Sequence, residues 1–219
     1  MDCRQAHIKP GTSPVGLLQT HLSRYVWALE YCDGKSVLDV GCGCGYGTYI
    51  LSLRAAAVLG IDINKTAIMQ AKATYTSTHF AELALEQCSG TNHWDVVVCF
   101  EVLEHLSQME KGLEKIQCLL KPGGQCLLSV PLHQPTDFHH GRDFGYDDWV
   151  RTLSPFRIAD VLFQDVEGEY NNVCIRRVFY EQRVDWSEAS LRSKPISGNI
   201  IFRLTLSGEP QDKQEANNE

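Results

Sequence analysis

The sequence predicts an α/β protein built on a doubly wound, mostly parallel sheet, and three observations carry that prediction. Short apolar strands alternate with segments of helical periodicity along most of the chain. The first strand runs directly into a loop with glycine at alternate positions, Gly41, Gly43, Gly45 and Gly47. The second strand ends on a carboxylate, Asp62, 21 positions after Gly41.

The elements follow in order. Residues 14–32 place Leu17, Leu18, Leu22, Val26 and Leu29 on one helical stripe, and Gly34 ends the helix at its C′ position. SVLDV (36–40) reads as a buried strand, residues 46–53 as a helix and AAVLGID (56–62) as the second strand. Asn64 caps the helix KTAIMQAKATY. AELALEQ (81–87) alternates as a third strand, and WDVVVCF (94–100) is the fourth. SQMEKGLEKIQCLL is an amphipathic helix stopped at Lys121-Pro122-Gly123-Gly124, and QCLLSVP (125–131) is the fifth strand. GYDDWVRTL is a short helix, and IADVLFQDV and NIIFRLTL are the last two strands.

This organisation predicts a flexible N-terminus over 1–13 and a single domain over 14–206. Within it, 169–197 lacks clean periodicity and reads as a segment capping the substrate side. Residues 207–219 are polar and read as a disordered tail.

Composition narrows the class. With 43% hydrophobic and 21% charged residues, the 219-residue chain is ordinary globular protein rather than fibre or disordered polymer. A net charge of −7 repels polyanions and argues against a nucleic-acid partner. The first residues lack the pattern of a signal peptide, and no apolar run is long enough to span a bilayer. None of the nine cysteines is spaced as CxxC, which predicts reduced thiols in a cytoplasmic protein. Cys42 and Cys44 read as small fillers of the glycine loop rather than a chelate.

The loop is the strongest signal. Glycines after a buried strand let the backbone turn tightly and approach a nucleotide-like cofactor. The G-x-G-x-x-G register of dinucleotide folds fails from Gly41, Gly43 and Gly45, where the sixth positions are Tyr46, Thr48 and Ile50. No Gly-Lys-Ser/Thr of a P-loop follows. Asp62 is placed to accept from both hydroxyls of a ribose, with helix capping as the alternative.

At this point VLDVGCGCGYG, VLGID, WDVVVCFEVLEHL and LLKPGGQCLLSVP together resemble the successive motifs of class I S-adenosylmethionine-dependent methyltransferases. The resemblance covers roughly residues 16–165 and implies a seven-stranded Rossmann-like sheet whose last strand is antiparallel. It implies S-adenosylmethionine as cofactor, with Gly41, Gly43 and Gly45 along its methionine part, Asp62 on the ribose and Ile63 beside the adenine. Gln87 and Cys88 would meet the adenine edge, where the family often has Asp. Asp39 would support the loop from inside the strand, and Cys42 and Phe100 join the cofactor contacts. Arg24, in HLSRY, would pair with the cofactor carboxylate or, as an ordinary helix arginine, be solvated.

EVLEHL (101–106) then poses the catalytic question. The methyl acceptor meets the cofactor outside the C-terminal end of the fourth strand. DNA amino-methylating enzymes carry Asn/Asp-Pro-Pro-aromatic there, and this chain has Phe100-Glu101-Val102-Leu103 instead. Glu101, Glu104 and His105 would share one face of a helix starting here, either as favourable charges at its N-terminus or as metal ligands. The run resembles the Glu-x-x-Glu-His of ubiquinone-pathway O-methyltransferases and small-RNA 2′-O-methyltransferases. Alignment backwards from Trp149 puts a further metal-site histidine on His140. A divalent metal is therefore a candidate, held by Glu101, Glu104, His105 and His140. Without it, His140 or His105 would act as general base.

The expected function is methyl transfer from S-adenosylmethionine to an oxygen of a small-molecule or glycan acceptor, with Glu101, His105 and His140 as the catalytic candidates. Three alternatives remain open: a metal-dependent RNA 2′-O-methyltransferase, a non-catalytic cofactor-binding protein of the same fold, and a nicotinamide oxidoreductase.

Overall fold

The computed structural model describes residues 10–11, 15–132, 144–166, 173–178 and 198–207. Helices α1 (Val15–Ala28), α2 (Tyr46–Ser52), α3 (Lys65–Thr74), α4 (Met109–Leu119) and α5 (Tyr146–Thr152) alternate with strands. The strands are β1 (Ser36–Val40), β2 (Ala57–Asp62), β3 (His79–Glu82), β4 (Trp94–Phe100), β5 (Leu120–Leu132), β6 (Phe156–Val166), β7 (Val173–Val178) and β8 (Gly198–Leu206).

They form one sheet in the order β3-β2-β1-β4-β5-β8-β6-β7. Strands β1 to β5 pair in parallel, and β8 inserts antiparallel between β5 and β6. The seven expected strands are all there, with the last one antiparallel. An eighth, β7, adds antiparallel to β6 inside the stretch read as lacking periodicity. The strand order reverses between β1 and β4, the place where such sheets open a crevice at their carboxyl ends.

β3 and α1 differ from expectation, as does β5, which starts at Leu120 rather than after Gly124. β3 stops at Glu82, and Leu85–Gln87 form a 3-10 turn instead of continuing the strand. Leu85 is drawn into the core cluster that holds Leu113 and Ile116 of α4, so the alternating pattern reflects a turn tucked under a helix. Helix α1 also buries a different face. Val26 is 58% exposed, while Thr20, Arg24, Tyr25, Trp27 and Ala28 are buried and Leu18 and Leu22 only half-buried. The helix is oriented by Tyr25, Trp27 and Ala28 packing into the core together with the buried Arg24, and the leucines only flank that face.

Tyr25 shows how. A Cβ on Gly47 of α2 would lie 2.0 Å from the Tyr25 ring, so the ring packs where any other residue would project. The ring also meets Phe100 and Tyr46 edge-on, at centroid distances of 5.2 and 5.8 Å. Its hydroxyl donates to Asp39 Oδ1 at 3.3 Å, and Thr48 Oγ1 donates to Asp39 Oδ2 at 2.6 Å. Asp39 is fully buried in β1 beneath the glycine loop. Burial pushes its carboxyl up to about 7 against these two hydrogen bonds, with the Asp62 charge adding to the rise. Among the described residues no helix is long and apolar enough to cross a membrane.

Residues 1–9, 12–14, 133–143, 167–172, 179–197 and 208–219 lie outside the described residues. The expectations for the N-terminus, the tail and most of the substrate cap fall there, as does His140.

Gly47→Ala should lower stability by about 1–3 kcal/mol, because the added methyl overlaps the Tyr25 ring; chemical denaturation measures it. Asp39 supplies a pH test. Its folded pKa is raised, so its contribution to stability is full below about pH 4 and is lost as pH rises towards about 7. Thermal melts of Asp39→Asn should show a shallower fall between those pH values than the wild type, and parallel curves would contradict the assignment.

Candidate functional site

The site begins where β1 ends. Gly41, Gly43 and Gly45 have φ of +73°, +52° and +84°, values that L side chains rarely adopt. At Gly41 sterics add to this, since a Cβ would come within 2.2 Å of Val102 Cγ2. The N–H groups of Gly41 and Cys42 both donate to Ile61 O, at 2.8 and 3.0 Å, which ties the loop to the end of β2. Asp62 then straddles loop and helix: Oδ2 accepts from Gly43 N at 2.9 Å and Oδ1 from Asn64 N at 2.7 Å. The cap of α3 is Asn64, whose Oδ1 accepts from Ala67 N at 3.0 Å. Asp62 is therefore a brace of the loop rather than a helix cap.

Beside it, Ile63 is 66% exposed, an apolar side chain offered at the crevice rim. Cys42 and Cys44 are buried, as expected of fillers. In the turn after β3, Gln87 is exposed and its Oε1 accepts from Ala84 N at 3.4 Å. Cys88 is buried with its thiol donating to Ala84 O, so its side chain faces inward. Phe100 likewise belongs to the core, against Tyr25.

A buried polar network occupies the carboxyl ends of β4 and β5. Arg24 of α1, 1% exposed, reaches in with Nη1 3.0 Å from Glu101 Oε1 and donating to Ser129 Oγ at 3.1 Å. Ser129 Oγ donates to the same Glu101 oxygen at 2.7 Å. Arg24 Nε donates to Gln164 Oε1, and Gln164 Nε2 donates to Thr20 O and Ser23 Oγ at 2.7 and 2.8 Å. Arg24 is thus neither solvated nor fully satisfied: its Nη2 is buried without a partner among the described residues. Ser129, Gln164 and Tyr25 were not singled out from the sequence. The available signal was a serine inside the apolar run CLLSVP of β5, whereas Gln164 shares β6 with Arg157, Asp160 and Asp165 and does not stand out.

EVLEHL does not start an α-helix. Glu101 has φ +55° and its N–H donates to Ser129 O at 3.0 Å, a left-handed kink that turns the chain out of β4. Leu103–His105 form a single 3-10 turn, anchored by the fully buried Leu103, and α4 begins only at Met109. The expectation of one helical face, and with it stabilisation by a helix dipole, is corrected by this kink. Both Glu104 oxygens are buried and receive no hydrogen bond from another described residue. Burial, and then the neighbouring Glu101 carboxylate, push the Glu104 carboxyl well above the usual range. His105 is exposed. Among the described residues no three His, Cys, Asp or Glu side chains are grouped to hold a metal ion.

A braced glycine loop, an acidic residue ending β2 and a buried polar network at the ends of β4 and β5 thus lie together along the carboxyl edge of the sheet. Comparisons with known proteins identify the family. A family model described as a methyltransferase domain matches residues 38–126, from β1 into β5. The chain is 32% identical over 198 residues to a ubiquinone biosynthesis O-methyltransferase of Acinetobacter baylyi, covering 77% of this chain and 82% of that one. Among solved structures, the N-methyltransferase NodS of Bradyrhizobium japonicum, in complex with S-adenosyl-L-homocysteine, matches with a TM-score of 0.64 at 17% identity, over 90% of each chain. The [4+2]-cyclase SpnF matches with a TM-score of 0.66 at 15% identity, over 90% of this chain and 85% of that one, a likeness of fold alone. With its motifs in the order of the strands that carry them, the chain belongs to the class I S-adenosylmethionine-dependent methyltransferases and is an enzyme of that family.

Proposed function

We propose that this methyltransferase acts on an oxygen of a small-molecule or glycan acceptor. The observation that carries the reading is its 32% identity, over 82% of the relative's length, to an enzyme named as an O-methyltransferase. Two neighbouring carboxyl groups at the end of β4 support it, because a hydroxyl must lose its proton as it takes the methyl group. The net charge of −7 favours a small acceptor over a nucleic acid.

The residues present fit S-adenosylmethionine. Its methionine part would lie along Gly41, Cys42, Gly43 and Gly45, over the buried Asp39 and Phe100. Asp62 keeps lone pairs for the ribose hydroxyls beside the bonds it already accepts, and the exposed Ile63 offers an apolar face to the adenine. Gln87 and the backbone of Cys88 would meet the adenine edge, and the unpartnered Arg24 Nη2 suits the cofactor carboxylate. The cofactor supplies an electrophilic methyl group, so the protein needs no nucleophile of its own.

The chain's part is then positioning and proton removal. Glu101, held by Arg24 and Ser129, is the group we assign to the acceptor proton, and His105 on the adjoining turn assists. Glu104, whose carboxyl burial and then the Glu101 charge push well above the usual range, is suited to donate a hydrogen bond to the acceptor in its protonated form. His140 stays a candidate base outside the described residues. The described residues do not fit a divalent ion equally well, because the Arg24 cation already faces Glu101 and no three ligands converge. No step is assigned to a metal.

Asp62→Ala should weaken S-adenosylhomocysteine binding by roughly 10- to 100-fold in calorimetric titration. With isotopically labelled methyl donor, 3,4-dihydroxybenzoate and methyl glycosides should be labelled on oxygen. Glu101→Gln should slow that transfer by roughly a hundredfold or more without weakening cofactor binding. Methylation confined to amines would overturn the oxygen assignment.

A further inference from the structure

The nitrogens of Arg24 have unequal surroundings. Nη1 is shared by Glu101 and Ser129, and Nε is taken by Gln164. Nη2 is equally enclosed yet has no acceptor among the described residues. A buried guanidinium N–H left unmade is unfavourable, so the atom points to a ligand group that accepts from it. At the other end of the same cation, Glu101 is held at φ +55°, a backbone state that a glutamate keeps only where its surroundings enforce it. One buried positive charge therefore serves a fixed protein carboxylate through Nη1 and keeps a second nitrogen, Nη2, without an acceptor among the described residues.

We infer that Arg24 couples cofactor binding to the acceptor-side Glu101, because the cofactor carboxylate and the Glu101 carboxylate compete for one guanidinium. The inference rests on the reading of Arg24 as the carboxylate contact. Two carboxylates on one buried cation repel each other in surroundings less screening than water, so each lowers the affinity of the cation for the other. The coupling is reciprocal: when the cofactor binds, the hold of Arg24 on Glu101 weakens, and Glu101 is released to the proton of the acceptor. Ser129 is a positioning residue here, since its hydroxyl keeps Glu101 oriented while the charge of Arg24 is drawn away. Gln164 keeps the guanidinium plane fixed between its two anions.

The sign of the effect makes it testable. S-Adenosylhomocysteine and its decarboxylated analogue are titrated into wild type, Glu101→Gln, Arg24→Met and Arg24→Lys. The ratio of the two affinities isolates the ligand carboxylate, because general damage to the site lowers both. The wild type should prefer S-adenosylhomocysteine. Glu101→Gln should raise that preference on the order of tenfold, since the competing anion is gone. Arg24→Met should abolish it, and Arg24→Lys, which keeps the charge but not the planar fork, should reduce it. If Arg24→Met lowers the preference but Glu101→Gln leaves it unchanged or lowers it, the coupling is wrong and the carboxylate contact stands. A preference that both Arg24 variants leave at the wild-type value overturns the contact and the coupling together. Should Arg24→Met not fold, Glu101→Gln and Arg24→Lys give the same decision.

Discussion

A buried arginine is the constraint on which the rest of this site depends. Arg24 has almost no access to water, so its charge has to be matched inside the protein or left at a penalty of several kcal/mol. The match comes from three segments far apart in the chain: Glu101 after β4, Ser129 in β5 and Gln164 in β6. Together they fix α1 across the carboxyl ends of the strands. The left-handed backbone of Glu101 costs about 1–2 kcal/mol, less than the loss expected from an unpaired buried guanidinium, so the ion pair wins and the kink persists.

Once α1 is docked, it reaches the glycine loop as well. Tyr25, one residue on from Arg24, packs against Gly47 and bonds to Asp39, the buried acid under the glycine loop. The loop in turn abuts Val102, the residue after Glu101, through the space left open at Gly41. The glycine loop and the turn at Glu101 are thus joined twice, by Arg24–Tyr25 on the helix and by Gly41–Val102 at the strand ends. Asp62 completes the cradle by bonding the loop and the start of α3 with its two oxygens.

The fold by itself leaves the chemistry open. A cyclase and an N-methyltransferase match it with nearly equal TM-scores. In this chain the end of β4 carries two glutamates, Glu101 and Glu104, and the buried Arg24 pairs with the first of them.

The sequence by itself determined the sheet apart from β7 and the end of β3, the glycine loop and the role of Asn64. Each is a local signal: strand and helix periods, glycines where φ must be positive, a cap at a helix start. It also marked Asp62 and the EVLEHL segment as chemistry-bearing. Only the tertiary structure decided how those residues are used. The buried face of α1 follows from the core around Tyr25, Trp27 and Ala28 and from the partners of Arg24 in β5, in β6 and just after β4, which no helical period reveals. Leu85 is taken by α4 rather than by a strand neighbour, and Glu101 turns away from a helix because Ser129 and Arg24 hold it. The physical reason is common to all three. Burying a charge or an apolar side chain is settled by what the rest of the chain brings to it, and these partners are 28 or more residues away in sequence.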